Sequence, residues 1–536
     1  MTEYGWWIIF FALLYTFVLI IVGNIAKKKA EKGEDFFVGG RNFSWWLVCF
    51  CITGLFSGST YIVVLELSYL TGISAIWYGI AETIQVLLIA LLIVGPFRKK
   101  MLVTISGLIG DQYGRGAKGI AGAITSFAFP MWSVATAIAF ASAIHVFTGI
   151  PLSLSVAFTA LLLYVYLQSG GMWAIAFTQT MNSFVFLIML IIGVIAFFIN
   201  PGIAGLQGLA LERPEMFQWG NAGVQVIVAW FGTFLVNVIL AQAAFQMALS
   251  CRTPREGKKG LIIAEIISIP FILLGVLFGI AAAIVVPDAG RGLIALPMYL
   301  METLPAPLVG LFFLGIWACA LSWGAPCQFS GATSLGKDVG SAVFPLSTNE
   351  QLVKYTKWSL LVLTGLMIIF GLLRTEQSGW WNILAWTMRN SATFAPVVAA
   401  LFWPLVTKRA VILSMITGFT SGLLWYHLGG WAPNQFYLDI HPVWIGMSTN
   451  VLTIVIVTLL STIGQWSIGQ ADNAIKGYAF TLSGLVLTVI ATVFFSSLHQ
   501  LGLIGLVAFA AIISYFVAMI ILIKPKDRVS TKEKIA

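Results

Sequence analysis

Arg389 stands in Leu384-Ala385-Trp386-Thr387-Met388-Arg389-Asn390-Ser391, an apolar neighbourhood with no acid in it. A guanidinium is a planar fork of donors that can hold a carboxylate through two parallel hydrogen bonds. Anion recognition is therefore one chemistry open to this residue. A second group is Gly54-Leu55-Phe56-Ser57-Gly58-Ser59-Thr60, where two glycines and three hydroxyls fall within seven residues. Such a stretch is a poor helix and a source of free backbone carbonyls. Trp230-Phe231-Gly232-Thr233 repeats that pattern in weaker form. Gly331-Ala332-Thr333-Ser334-Leu335-Gly336-Lys337-Asp338 begins like a phosphate-binding loop. It ends in Asp where magnesium needs Ser or Thr, and it closes an apolar run rather than following a strand. The four histidines, His145, His427, His441 and His499, lack metal-ligand spacing. No acid, base or metal constellation marks an enzyme.

The elements that must position these groups are set by composition. Of 536 residues, 59% are hydrophobic and only 9% are Asp, Glu, Lys or Arg. A soluble chain carries about 25% charged residues. The deficit leaves too little polar surface to face water, so the expected surroundings are a lipid bilayer. The 29 basic residues outnumber the 20 acidic ones, but they are spread over short loops rather than gathered on one face. Nucleic acid is therefore excluded as a partner. The five cysteines, Cys49, Cys51, Cys251, Cys319 and Cys327, show no disulfide framework. The start, Met1-Thr2-Glu3-Tyr4, is acidic where a signal peptide is basic, so the first apolar run is expected to be a retained helix.

A helix needs roughly 20 apolar residues to cross a bilayer. Runs of that kind lie near 5–23, 45–70, 73–97, 119–148, 151–168, 171–198, 222–249, 261–286, 305–336, 356–373, 380–405, 410–427, 442–465, 477–496 and 500–523. The expected fold is thus all-α, a polytopic membrane bundle of about fifteen spans. With the N-terminus outside, 25 of the 29 basic residues fall in inside loops or the tail. The positive-inside rule therefore gives an outside N-terminus and a cytoplasmic C-terminus in the cell membrane. The expected organisation is an N-terminal helix and cytoplasmic loop (1–44), a transport core (45–405), peripheral helices (406–523) and a basic tail (524–536).

A bundle without a soluble domain is built to move something across the membrane. Broken helices at matching positions of two inverted halves mark solute sites in secondary transporters. The two hydroxyl-bearing stretches lie five spans apart, as two five-helix units of opposite sense require. Ser57, Ser59, Thr60, Trp230, Thr233 and Arg389 are the expected solute contacts.

At these residues the chain resembles the sodium:solute symporter family. Glu34-Asp35-Phe36-Phe37-Val38-Gly39-Gly40-Arg41 resembles the family's entry to the second span, and Gly170-Gly171-Met172-Trp173-Ala174 its Gly-Gly signature. Asp111-Gln112-Tyr113-Gly114, Phe394-Ala395-Pro396 through Leu401-Phe402-Trp403, and Ser330 to Asp338 resemble further motifs in the family's order. The resemblance implies a LeuT-type five-plus-five inverted repeat in spans 2–11. It also implies a sodium ion held by the carbonyls of Thr53 and Phe56, by Cys319, and by the hydroxyl of Ser322. The family's second hydroxyl falls on Trp323, which has no side-chain oxygen, and Gln179 stands where the family often has Asp. A hard cation wants oxygen, so these departures weaken sodium coupling, unless a locally shifted alignment leaves Ser322 or Ser330 serving an intact site.

Arg389 lies roughly 13 Å inside the outer boundary of its span, too deep for its charge to reach water easily. Three partners remain open: an anionic solute, a membrane acid such as Glu66 or Glu82, or the water of an outer vestibule. The twenty Trp also admit a cationic solute in an aromatic cage, although most suit interfacial anchoring. The expected function is a secondary active transporter of a small polar solute, with no cofactor beyond a doubtful Na+. The alternatives are a non-transporting sensor and a proton-coupled or exchange carrier of an organic anion.

Overall fold

A computed structural model describes residues 2–27, 33–101, 103–167, 171–375, 377–432, 435–468 and 474–526. Lys28, Lys29, Lys32, Gly170, Arg528, Lys532 and Lys534 lie outside the described residues. The chain is almost wholly helical, because a lipid-facing backbone must satisfy every N–H and C=O within its own segment. The elements used below are α1 (Glu3–Lys27), α2 (Trp45–Ile52), α3 (Gly58–Thr71), α4 (Ile76–Leu88), α5 (Ile105–Tyr113), α6 (Arg115–Thr148), α7 (Leu152–Leu167), α8 (Gly171–Ile199) and α9 (Val224–Asn237). They continue with α10 (Gln242–Ala248), α11 (Pro254–Val285), α12 (Ala306–Thr333), α13 (Asn349–Leu373), α14 (Ser378–Phe402), α15 (Lys408–Leu428), α16 (Pro442–Ser461), α17 (Ala474–Val493) and α18 (Ile504–Leu522).

Eleven helical stretches among the described residues are long and apolar enough to cross a membrane, and the bent pair α9–α10 makes a twelfth. The difference from fifteen predicted runs has three sources. Trp45–Lys99 is one helical stretch of 55 residues that contains two runs, turning at Gly72 where φ is +66°. Helix α7 is short. Helix α14 carries Asn382, Thr387, Arg389, Asn390, Ser391 and Thr393, too polar a load to stand among the eleven. The five cysteines are free and buried.

The helices form two compact units, Met1–Gly107 with Gly122–Trp386, and Leu108–Ala121 with Thr387–Ala536. In the first, small residues set the packing distance. Gly275 and Gly279, four apart on α11, lie against α3, and a Cβ at Gly279 would stand 2.7 Å from Ser68 Cβ. Without a hydrophobic drive between helices in lipid, such close approach is what holds them.

In the second unit the constraint is a proline. Pro396 lies inside α14 and has no N–H, so the carbonyl four residues earlier, Ala392, loses its helical donor. Asn450 on α16 supplies one. Its Nδ2 donates to the Ala392 carbonyl at 3.1 Å and to the Ser414 carbonyl at 2.9 Å, while its Oδ1 accepts from the Ala395 N–H at 2.8 Å. Gly418 and Gly446 lie against Ser391 with no space for a side chain. A short antiparallel pair, Trp466–Ile468 with Ile523–Pro525, ends this unit. Replacing Asn450 with Leu keeps the shape, strands the Ala392 carbonyl and removes the bonds to Ala395 and Ser414. The expected loss is about 1–3 kcal/mol, read as a lower melting temperature of the purified protein. Unchanged melting would remove Asn450 from this role.

Candidate functional site

The first site element is the hydroxyl-rich stretch of the second span. Thr53–Ser57 is a π-helical turn joining α2 to α3, with helical dihedrals at its caps. The expectation of an unwound break is corrected: the extra residue of a π-turn loosens the ladder without opening it. Ser57, Ser59 and Thr60 are buried. The Ser59 hydroxyl donates within its own helix, to the carbonyls of Leu55 at 3.2 Å and Phe56 at 3.1 Å. The Phe56 carbonyl, an expected ion ligand, therefore already has a donor. Thr60 Oγ1 is buried without a hydrogen-bond partner among the described residues. The second interruption is also corrected. Trp230 and Thr233 lie within continuous α9, and the break falls later, at Val238–Ala241, where α9 and α10 meet at 47°. Gly232 is tolerated in a membrane helix, whereas the later break is sustained by Gln242. That side chain accepts from the Ile105 N–H at 3.0 Å and donates to the Ser330 carbonyl at 3.1 Å and Ser334 Oγ at 2.9 Å.

Around the family's ion position the geometry follows from Pro326 in α12. This proline deprives the Ser322 carbonyl of its helical donor. Gln179 on α8 replaces it, with Nε2 2.7 Å from that carbonyl. The Gln179 side chain lies so close to Gly54 that a Cβ there would collide with it. One turn along α8, Asn182 Nδ2 donates to Ser322 Oγ at 2.6 Å, and Tyr15 on α1 donates to Asn182 Oδ1 at 2.7 Å. Both Ser322 oxygens thus accept from amide N–H groups. Cys319 is buried, and a Cβ at Gly58 would stand 3.3 Å from its Cα. Trp323 is buried with its ring 6.1 Å from that of Phe56, and its Nε1 has no partner among the described residues. Ser330 donates to Gln246 Oε1, so its hydroxyl belongs to the bend beyond α9.

Glu66 on α3 caps the start of α14. Its carboxylate accepts from the Ser378 N–H at 3.0 Å, the Gly379 N–H at 3.2 Å and the Ser378 hydroxyl. A carboxylate at a helix N-terminus is favoured by the unpaired N–H groups and the helix dipole. Of the acids named as open partners for Arg389, Glu66 is thus committed to the start of α14. Glu82 likewise forms no ion pair among the described residues. Arg389 is 3% exposed, with Nη2 3.3 Å from Asn390 Oδ1.

Sequence reasoning missed a packed aromatic cluster in the first unit, called the chamber below for the guest it could take. The Tyr78 ring centroid lies 5.6 Å from Trp230 and 5.2 Å from Phe234, both nearly perpendicular, and 6.2 Å from Trp386. Trp386 lies 4.6 Å from Phe234 and 6.2 Å from Trp132. Asn382 Nδ2 reaches the Tyr78 hydroxyl at 3.5 Å, and its Oδ1 has no partner among the described residues. The signal for Asn182 was available: Gln179 and Asn182, three apart, share a face of an otherwise apolar helix. The chamber left none, since its rings come from four helices distant in sequence. Replacing Asn182 with Leu removes the donor to Ser322 Oγ and the acceptor of the Tyr15 hydroxyl bond, with an expected loss of about 1–3 kcal/mol. Tyr15→Phe should add little on that background, because both changes break one network. Full additivity in thermal melts would show that the network does not exist.

Comparison with known proteins places this architecture. The chain is 23% identical to the high affinity choline transporter 1 of Homo sapiens over 433 residues, 77% of this chain and 73% of that protein. It is 23% identical to the sodium/glucose cotransporter of Vibrio parahaemolyticus over 470 residues, 78% of this chain and 86% of that protein. In fold it is similar to a substrate-bound, outward-open Na+-coupled sialic acid symporter, with a TM-score of 0.67 and 18% identity over 85% of this chain and 98% of that one. The model of the sodium:solute symporter family matches residues 36–418, well over half the chain, and the protein belongs to that family.

Proposed function

We propose that this protein is a secondary active transporter that carries a small organic solute by alternating access. The reading keeps a five-plus-five inverted repeat in spans 2–11 of fifteen, in the cell membrane, with the N-terminus outside and the C-terminus cytoplasmic. The observation that carries it is the polar and aromatic chamber of Tyr78, Trp230, Phe234, Trp386 and Asn382, buried within an apolar helix bundle. Four π faces with one hydroxyl and one amide suit an organic ammonium ion, which a guest would place over the rings once it parted them. The similarity to a choline transporter supports this class. A second reading, an organic anion gripped by Arg389, rests on the buried guanidinium.

The solute test is thermal stabilisation of the purified protein by small ammonium compounds and by small carboxylates, since a ligand raises stability by mass action. Ammonium compounds should stabilise it, and Trp230→Ala or Trp386→Ala should weaken binding by roughly five- to thirty-fold, from about 1–2 kcal/mol per cation–π contact. Stabilisation by carboxylates alone, lost in Arg389→Lys, would replace the first reading by the second. Thr60→Val should weaken solute binding roughly three- to thirty-fold. Ser59→Ala should leave it unchanged, because that hydroxyl is used within its own helix. Equal effects of both would remove the distinction.

Sodium at the family's usual position is not part of the proposed cycle. Amide N–H groups from Gln179 and Asn182 meet both Ser322 oxygens, and Trp323 brings carbon where a ligand oxygen is needed. With potassium holding ionic strength constant, Ser322→Ala should leave any sodium response of solute binding unchanged. A saturable sodium requirement abolished by Ser322→Ala would sink this part of the proposal.

A further inference from the structure

Glu82 on α4 and Glu265 on α11 are buried, at 3% and 4% exposure. Neither serves the solute chamber or a helix cap. The two helices pack closely: a Cβ at Gly79 would stand 2.7 Å from Ile272 of α11. Glu82 stands one turn beyond Gly79 on α4 and Glu265 two turns before Ile272 on α11, so both acids belong to the α4–α11 contact, close enough for their charges to interact. No ion pair to either acid is formed among the described residues. One turn beyond Glu82, Gln85 is 0% exposed, and neither its Nε2 nor its Oε1 has a partner among the described residues. Residues three apart on a helix share a face, so this amide stands beside the acid pair. Tyr78, one turn before Glu82, faces the chamber.

Two carboxylates buried together without a counter-charge are strongly unfavourable, and a buried amide with four unmet bonding sites adds to the cost. One small cation removes both defects. Carboxylates and an amide oxygen are the ligands a hard cation prefers, and a carboxylate pair can equally share one proton. We infer that Glu82, Glu265 and Gln85 form a binding site for a monovalent cation, a proton or an alkali metal ion, that drives transport in place of the family's usual sodium position. This rests on the transporter reading above, but its occupancy can be tested without any solute.

Other charged groups near the pair are few. Helices α8, α9 and α10 carry no ionisable side chain. Helix α3 brings Tyr61, whose ring packs on Phe271 and Phe278 of α11, Glu66, which caps α14, and Tyr69, bonded to the Val286 carbonyl. Helix α2 brings Cys49 and Cys51. The remaining neighbours of α11 carry Arg98 and Lys99, Glu212, Asp288, and Tyr299 with Glu302, all at or near helix ends.

The test measures thermal stability of the full-length purified protein from acid to alkaline pH, in sodium or potassium chloride, for the unaltered chain, Glu82→Gln, Glu265→Gln and the double variant. A proton site predicts that the unaltered protein gains stability on acidification in either salt. An alkali-ion site predicts that sodium or potassium stabilises it saturably at alkaline pH. In both cases the double variant should lose the response and each single variant should weaken affinity at least about tenfold, as expected for loss of a charged ligand. Should the double variant not fold, the single variants and an infrared carboxyl titration of the unaltered protein carry the test. A protein that responds to neither ion, or whose response survives both single substitutions unchanged, overturns the inference. Stabilisation by solute would then still stand as support for the transporter reading.

Discussion

A proline inside a membrane helix leaves one carbonyl, four residues back, with no donor and no water to supply one. The structure answers this constraint twice with an amide from a neighbouring helix. Gln179 serves the Ser322 carbonyl freed by Pro326, and Asn450 serves the Ala392 carbonyl freed by Pro396. Each answer fixes more than one bond. Asn450 also ties α14 to α15 through the Ser414 carbonyl. The Gln179 side chain fills the space beside Gly54, which is why that position admits no side chain. The Gln179 side chain thus meets the missing N–H of Pro326 and, by the same placement, sets the close approach of the π-turn to α8.

The same accounting separates the polar groups of the bundle. Hydroxyls such as Ser68, Thr180 and Thr364 return to carbonyls of their own helix and ask nothing of their neighbours. Glu66 finds three donors at a helix start. Glu82, Glu265 and Gln85 find no comparable set.

Much of this fold was legible in the sequence, because the need for continuous apolar helices writes itself directly into composition. Every predicted apolar run overlaps helix among the described residues, although eleven or twelve long apolar stretches stand where fifteen were expected. The placement of breaks was not legible. Gly232 reads as an interruption yet sits in regular helix, while Val238-Ile239-Leu240-Ala241 contains no helix breaker and is where α9 ends. That bend depends on side chains from distant segments, chiefly Gln242 reaching Ile105 and Ser330. Trp323 and Gln179 stood out against the family pattern. The role of Asn182, and the meeting of Tyr78 with Trp230 and Trp386, required knowing which helices face one another.

The contact between Gln179 and Ser322 has an evolutionary consequence. An acid at position 179 would withdraw the donor that Pro326 makes necessary and set a negative oxygen against the Ser322 carbonyl. Position 179 and position 326 are therefore bound in one epistatic unit. A lineage carrying Pro326 and the amide could return to an acid only through an intermediate that folds less well, or by changing both sites together. The bond thereby holds an amide at position 179 through stability, whatever transport asks of that position.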